Sequence, residues 1–245
     1  MIGKLAPRYL PLGECALTVE FGATIDPAIH AKVLALDAVL QQMPIEGLYE
    51  TVPTYRSLTI HFDPRKLTTE ELIERLTKLS YSTKEPLCRV RRWSIPACYE
   101  PPYCEDLDDL SRALDMPRQR IIRLHQTAIY LVYMYGFAPG YVFLGGLPQE
   151  LTLSRRAAPR MAAPEGALLI AAGQALIAGC AMPTGWYMVG RTPVKMFDPK
   201  RDEPFFVAAG DELCFEAIES VRYTTLSRAA EAGELVAPCE LLERS

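Results

Sequence analysis

Four arginines carry the most chemical information in this sequence. The stretch "SRRAAPR" holds Arg155, Arg156 and Arg160, and "GRTP" holds Arg191. A guanidinium is a planar fork that meets carboxylate or phosphate through two parallel hydrogen bonds. Neighbouring prolines stiffen both loops, so the arginines could be held for an anion. Plain solvated loop charge is the alternative, and the residues alone leave both open. Gln174 follows Gly173 after the apolar run "ALLIAA". An amide at a strand end can hold a substrate amide or carboxylate, or satisfy a turn.

Three histidines are present, His30, His61 and His125. His30 falls inside a predicted helix and His61 on a predicted strand, where surface or packing roles suffice. His125 ends a helix just before an aromatic-rich strand. The negative end of the helix dipole favours its protonated form there, which makes it a candidate acid–base residue. The acidic run Glu105, Asp106, Asp108 and Asp109 reads as a helix start that complements the dipole, not as a metal site. The chain has seven cysteines and none is in a C-x-x-C pair. Reduced thiols are expected, and Cys98 with Cys104 lacks the two further ligands that zinc requires. No G-x-S-x-G, Walker lysine or H-E-x-x-H motif occurs.

The elements that position these residues fall into two textures. Up to about residue 85 the pattern alternates short strands and helices. "ALTVEFG" alternates as a strand. The next segment starts a helix with Asp26 as N-cap and Pro27 in its first turn. "LYETVPTYRSLTIHFD" supplies two strands, and "TTEELIERLTKL" opens with Thr68 and Glu71 in capping-box spacing. "CRVRRWSIP" reads as a further strand. That β-α-β-β-α-β order predicts a ferredoxin-like sandwich for residues 1–85. Residues 86–245 form the second predicted domain. It opens with two short helices around Met116 and Pro117. After Thr127, apolar runs alternate with Gly and Pro turns, as in a β-barrel or sandwich. In "YMYGFAPGYVFLGGLP" a strand over residues 129–135 leads into a tight turn over 136–140. That turn is expected to present Phe137 and Tyr141 at the barrel mouth. The tail from Leu226 is expected to close the chain as a helix. The fold class is α+β.

Composition narrows the function classes. Apolar residues make up 49% of 245, enough for a buried core, and the formal net charge is −4. That balance argues against a mainly electrostatic nucleic-acid or membrane partner. No apolar run reaches membrane-spanning length and no signal peptide is read, so a cytoplasmic location is expected.

Several stretches in this order resemble the KipI family, also called the B subunit of 5-oxoprolinase, allophanate hydrolase subunit 1, or the first half of a carboxyltransferase domain. They are "YLPLGECALTVEFG", "YRSLTIHFDP", "HQTAIYLVYMYGFAPGYVFLGGLP", "SRRAAPRMAAPEGALLIAAGQ" and "GWYMVGRTPVKMFDP". The resemblance implies a small N-terminal α/β domain followed by a cyclophilin-like β-barrel. It implies a KipA-like partner and a third, LamB/YcsF-like component, acting together with this chain as an ATP-dependent 5-oxoprolinase. Opening an unstrained lactam to glutamate is uphill alone, so Mg–ATP and a phosphorylated intermediate are implied in the complex, with none held tightly by this chain. Related fused proteins carry carboxyl groups from biotin to urea, and one family member inhibits a histidine kinase.

Residue by residue, the resemblance assigns catalytic roles to His125, Gln174 and Arg191. It assigns substrate contacts to Phe137, Gly140, Tyr141, Arg156, Arg160 and Thr192, and no metal. Between Gly173 and Trp186 the family usually reads close to G-Q-T-G-I-Y-P-x-x-S-P-G-G-W, whereas this chain reads "GQALIAGCAMPTGW". A hydroxyl, a phenol and a turn proline are exchanged for Ala175, Leu176, Ala178, Gly179 and Met182. That segment is expected to be a loop facing the site.

Overall fold

The computed structural model describes residues 6–43, 45–79 and 89–243. The chain divides into two units, one of the residues up to Arg89 together with the chain from Glu243 on, the other running from Val90 to Leu242. The boundary expected near residue 85 falls outside the described residues.

In the first unit, β1 (Arg8–Pro11), β2 (Ala16–Glu20), β3 (Leu48–Pro53) and β4 (Ser57–Phe62) form an antiparallel sheet in the order β1-β2-β4-β3. The period-two pleat sorts β4 cleanly: Leu58, Ile60 and Phe62 are buried, and Ser57, Thr59 and His61 are less so. Helix α1 (Pro27–Gln42) turns Val33, Leu36 and Leu40 to that apolar face. Asp26 caps it, accepting from the amides of Ala28 at 2.7 Å and Ile29 at 3.3 Å. Helix α2 (Thr69–Lys78) buries Leu72 and Leu76 and starts with the complete Thr68–Glu71 capping box.

The strand read from "CRVRRWSIP" does not close this sheet. As β5 (Arg89–Cys98) it runs parallel to β13 (Glu212–Ile218) in the second unit. Local pattern cannot assign a strand to its sheet, because the pairing is with residues far along the chain.

In the second unit, α3 (Leu107–Ala113) and α4 (Arg118–Thr127) precede β6 (Tyr130–Tyr135) and β7 (Val142–Gly145). After β8 (Arg160–Ala163) come β9 (Ala167–Ala171), β10 (Gln174–Ile177), β11 (Met182–Thr184) and β12 (Tyr187–Arg191). The sheet order β12-β9-β10-β7-β6-β13-β5 closes through β12–β5 pairing into a seven-stranded barrel. Closure removes the exposed edges that an open sheet would leave. Along β9, Leu168 and Ile170 point into the barrel core with Ala175, Ile177, Val132 and Leu144. Ala167, Leu169 and Ala171 point outward, where Ala163 of β8 and Trp186, just after β11, cover them.

The C-terminal helix starts earlier than expected: α5 spans Ser220–Glu231, and β14 (Cys239–Glu243) then adds to β5. Gly233, at φ +88, lies just past the helix end and lets the chain turn away.

Candidate functional site: one rim of the barrel

The turn between β6 and β7 is unusual in its backbone. Gly136 accepts from the amide of Ala138 at 2.9 Å, and Phe137 between them has φ +70. That is a γ-turn of the rarer positive-φ kind, strained for a residue with a side chain. Phe137 is also 74% exposed. Strain kept at an exposed aromatic points to function more than to folding.

Two glycines let this turn meet the segment after β10. Gly140 has φ +74, and a Cβ there would stand 2.7 Å from the Cβ of Phe197. A Cβ on Gly179 would come within 2.3 Å of the Pro139 carbonyl oxygen. The two backbones therefore pack directly against each other. Tyr141 pins them: its hydroxyl donates to the Cys180 carbonyl at 3.0 Å, and its ring is 3% exposed. Burial pushes its phenol up to about 12. Tyr141 thus supports the rim from inside, instead of presenting its ring at the mouth as expected. Phe137 remains outside, edge-on to Tyr141 at 5.5 Å between centroids.

The same rim continues to Arg191. The amide of Gly166 donates to Ala178 at 2.8 Å, and the amide of Thr192 donates to Gly166 at 2.9 Å. A β-bulge between Met188 and Gly190 shifts the register of β12 just before Arg191. The Nε of Arg191 donates to the Glu165 carbonyl at 2.8 Å, and its guanidinium lies over the ring of Tyr223 at 5.9 Å. Tyr223 in turn stacks on Tyr103 at 4.1 Å. Buried Thr192 turns its Oγ1 to accept the amide of Val194 at 3.1 Å, so it shapes the backbone after the strand.

Other candidates lie elsewhere. Arg156 donates to Asp106 at 2.7 Å and to Asp109 at 3.3 Å. Arg160 donates to Asp106 at 3.2 Å and also pairs with Glu105. Asp106 is 3% exposed and accepts the amide of Met188 at 2.7 Å as well. These arginines are the counter-charges of the acidic run and fasten α3 to the barrel wall. The expectation that they hold a substrate anion gives way to this internal pairing. The acidic run, in turn, does more than complement a dipole: the Asp106 side chain makes no capping bond to α3.

His125 lies in the core, 1% exposed, stacked on Phe215 at 4.6 Å. Its Nδ1 is 2.9 Å from the Tyr99 hydroxyl. Burial lowers its pKa to about 3, the opposite of the protonated form expected at a helix end. Desolvation outweighs the helix dipole here, because the ring is enclosed among Tyr99, Tyr130 and Phe215. Such a histidine is a structural group.

Gln174 opens β10 at the opposite end of the strand from Gly179, roughly 16 Å away at 3.3 Å per residue. It follows the tight turn of Ala172 (φ +50) and Gly173 (φ +74). The divergent segment is also less of a loop than expected. Ala175, Leu176 and Ile177 are buried in β10 and Ala178 directly after it, so their apolar character serves the barrel wall. Only residues 179–181 form the connection that faces the rim.

The turn and the connection after β10 bring together Phe137, Gly140 and Tyr141, a hydrogen-bonded edge leads on to Arg191 and Thr192 at the end of β12, and His125, Gln174, Arg156 and Arg160 lie elsewhere. Tyr103, Glu165 and Tyr223 join Arg191 without having been singled out in the sequence. They are far apart along the chain, and no local motif marks them.

A closed seven-stranded barrel in one unit and a small α/β sheet in the other define a class. Residues 7–207 match the family model of the carboxyltransferase domain, subdomains C and D, and the chain belongs to that family. Within it the chain is similar to the B subunit of 5-oxoprolinase from Bacillus subtilis, 29% identical over 226 residues, covering 86% of this chain and 93% of that protein. Its counterpart in Haemophilus influenzae is 32% identical over 215 residues, covering 86% of this chain and 99% of that one. The solved structure of TTHA0988 superposes with TM-score 0.75 at 31% identity, over 84% of this chain but only 40% of that longer chain. The Kluyveromyces lactis urea amidolyase shares the fold, with TM-score 0.75 at 15% identity, over 97% of this chain and 16% of that one. Among the described residues no helix is long and apolar enough to cross a membrane.

Proposed function

We propose that this chain is the B component of a cytoplasmic, ATP-dependent amidohydrolase complex that opens 5-oxoproline, or a related cyclic amide, to glutamate. Its partners are a KipA-like protein and a LamB/YcsF-like protein. The observation that carries this reading is that relatives named as the B subunit of 5-oxoprolinase align over nearly their whole length. In this reading the barrel wall inside the rim is the cyclophilin-like scaffold, and the rim binds and orients substrate. Arg191 holds the substrate.

We assign the nucleotide, and the groups that make and break bonds, to the partner proteins, since Glu105, Asp106 and Asp109 of this chain are paired with arginines. The isolated chain is expected to be inactive. The test is co-expression with both partners, followed by a 5-oxoproline-dependent ADP-release assay. An intact complex with no turnover of 5-oxoproline or related lactams would refute the reading.

A second reading is carboxyl transfer from a biotin carrier to an amide, favoured by the description of the matched family model. It predicts activity that requires a biotinylated partner and bicarbonate. Turnover by the complex without either would exclude it.

A further inference from the structure

Arg191 is positioned but unpaired. Every other half-buried arginine among the described residues gives its terminal nitrogens to a protein acceptor. Arg56 meets Glu20, Arg91 meets Asp211, Arg92 meets Glu212, and Arg156 and Arg160 meet Asp106. Arg201 donates to the carbonyls of Lys195 and Pro204. The two Nη groups of Arg191 meet none, although its Nε and its flat face are both fixed. These nitrogens are not among the buried polar atoms left without a partner, so they reach solvent and can exchange water for an anion.

Two phenols complete the place. Tyr223 is 5% exposed and lies under the guanidinium, with Tyr103 stacked beside it. Neither hydroxyl meets a protein partner among the described residues, so both remain available as donors. Burial raises the Tyr223 phenol to about 12, so it keeps its proton at neutral pH. The nearby carboxylates do not occupy Arg191. Glu100 is engaged by the amide of Ser220 at 2.9 Å. Glu165 lies close enough to act on Tyr223 and forms no ion pair with Arg191.

We propose that Arg191, Tyr223 and Tyr103 form a binding site for the carboxylate of a small organic acid. The guanidinium would take both oxygens side by side, and the phenols would donate at the edge. Stacking on Tyr223 holds the fork in place beforehand, so little rotamer freedom is lost on binding. The proposal deepens the reading above and rests on it only for the identity of the acid.

Titration calorimetry on the full isolated chain tests it, with three probes: 5-oxoproline, glutamate and 2-pyrrolidone, the neutral lactam without a carboxylate. At least one acid is expected to bind at least tenfold more tightly than 2-pyrrolidone. Arg191→Gln should weaken acid binding about a hundredfold. Arg191→Lys, which keeps the charge and loses the fork, should weaken it about tenfold. Tyr223→Phe removes one oxygen and should cost about fivefold with an unchanged melting temperature. Equal binding of 2-pyrrolidone, an unchanged Kd in Arg191→Gln, or no saturable binding of either acid would overturn the proposal, even if the complex turns over 5-oxoproline. Acid binding without turnover by the complex would leave this site standing and remove the functional reading.

Discussion

The barrel unit treats its two sets of arginines in opposite ways. On the flank, Arg156 and Arg160 converge on buried Asp106, which also takes the amide of Met188. At the rim, Arg191 is oriented by a carbonyl and a ring and leaves its terminal nitrogens idle. The first set gives terminal nitrogens to carboxylates inside the chain and contributes to the fold. The second leaves them open and is arranged for something that binds. Charge and residue type are the same in both; what differs is whether a carboxylate shares the burial.

Removing the shared carboxylate should have the largest effect. Asp106→Ala takes from Arg156 and Arg160 the buried carboxylate they share, leaving each one more exposed partner, Asp109 or Glu105, and strands the Met188 amide, and should cost about 2–4 kcal/mol of unfolding free energy. Arg191→Gln, by contrast, breaks no ion pair and should change stability by about 1 kcal/mol or less. Denaturant titrations of both variants check this directly. Similar losses at the two sites would erase the distinction between a structural and a receptive arginine.

The rim's backbone contact comes next. Gly179→Ala places a methyl group 2.3 Å from the carbonyl of Pro139, so the turn must shift, at a cost of about 1–3 kcal/mol. Because that shift moves Phe137 and the connection at residues 179–181, ligand binding at the rim should weaken along with stability. The flank should not notice: the melting response to Asp106→Ala should be the same in either background, measured as a double-mutant cycle.

The smallest effect concerns His125, which is satisfied inside the core like the flank arginines. Its folded pKa, about 3, lies below the ordinary value of 6.5. The unfolded chain therefore binds a proton that the folded chain refuses. The sign follows: this contribution to stability is complete above pH 6.5 and declines as pH falls from 6.5 toward about 3. The slope approaches about 1.4 kcal/mol per pH unit. His125→Asn keeps an acceptor toward Tyr99 and should flatten the slope between pH 6.5 and 5, seen in unfolding midpoints across that range. A matching flattening of the pH–rate profile of the assembled complex would instead make His125 a participant in the chemistry.

Much of the fold was legible locally. The Asp26 cap, the Thr68–Glu71 box and the alternation of Leu58, Ile60 and Phe62 each act within a few residues, and the structure follows them. The change of texture after Thr127 marked the barrel for the same reason, since short apolar runs between turns are what a barrel wall needs. The destination of β5 was not legible, because strand pairing with β13 joins residues more than a hundred positions apart. The site was legible in part. The Gly136–Tyr141 turn and Arg191 stood out by composition and by resemblance; the structure gives the first a strained, exposed Phe137 and leaves the terminal nitrogens of the second open. His125 and Arg156 were candidates too, and the structure buries the first in the core and pairs the second with Asp106.

The sequence by itself determined which groups could bind an anion, which segments would be helix, strand or tight turn, and to which family the chain belongs. These depend on residue type and short-range spacing. Only the tertiary structure decided which arginines were already paired, which histidine was dry, and that Tyr103 and Tyr223 gather under Arg191. The physical reason is that pairing and desolvation depend on what lies across the fold, and a guanidinium has the same sequence signature whether or not a carboxylate waits opposite it.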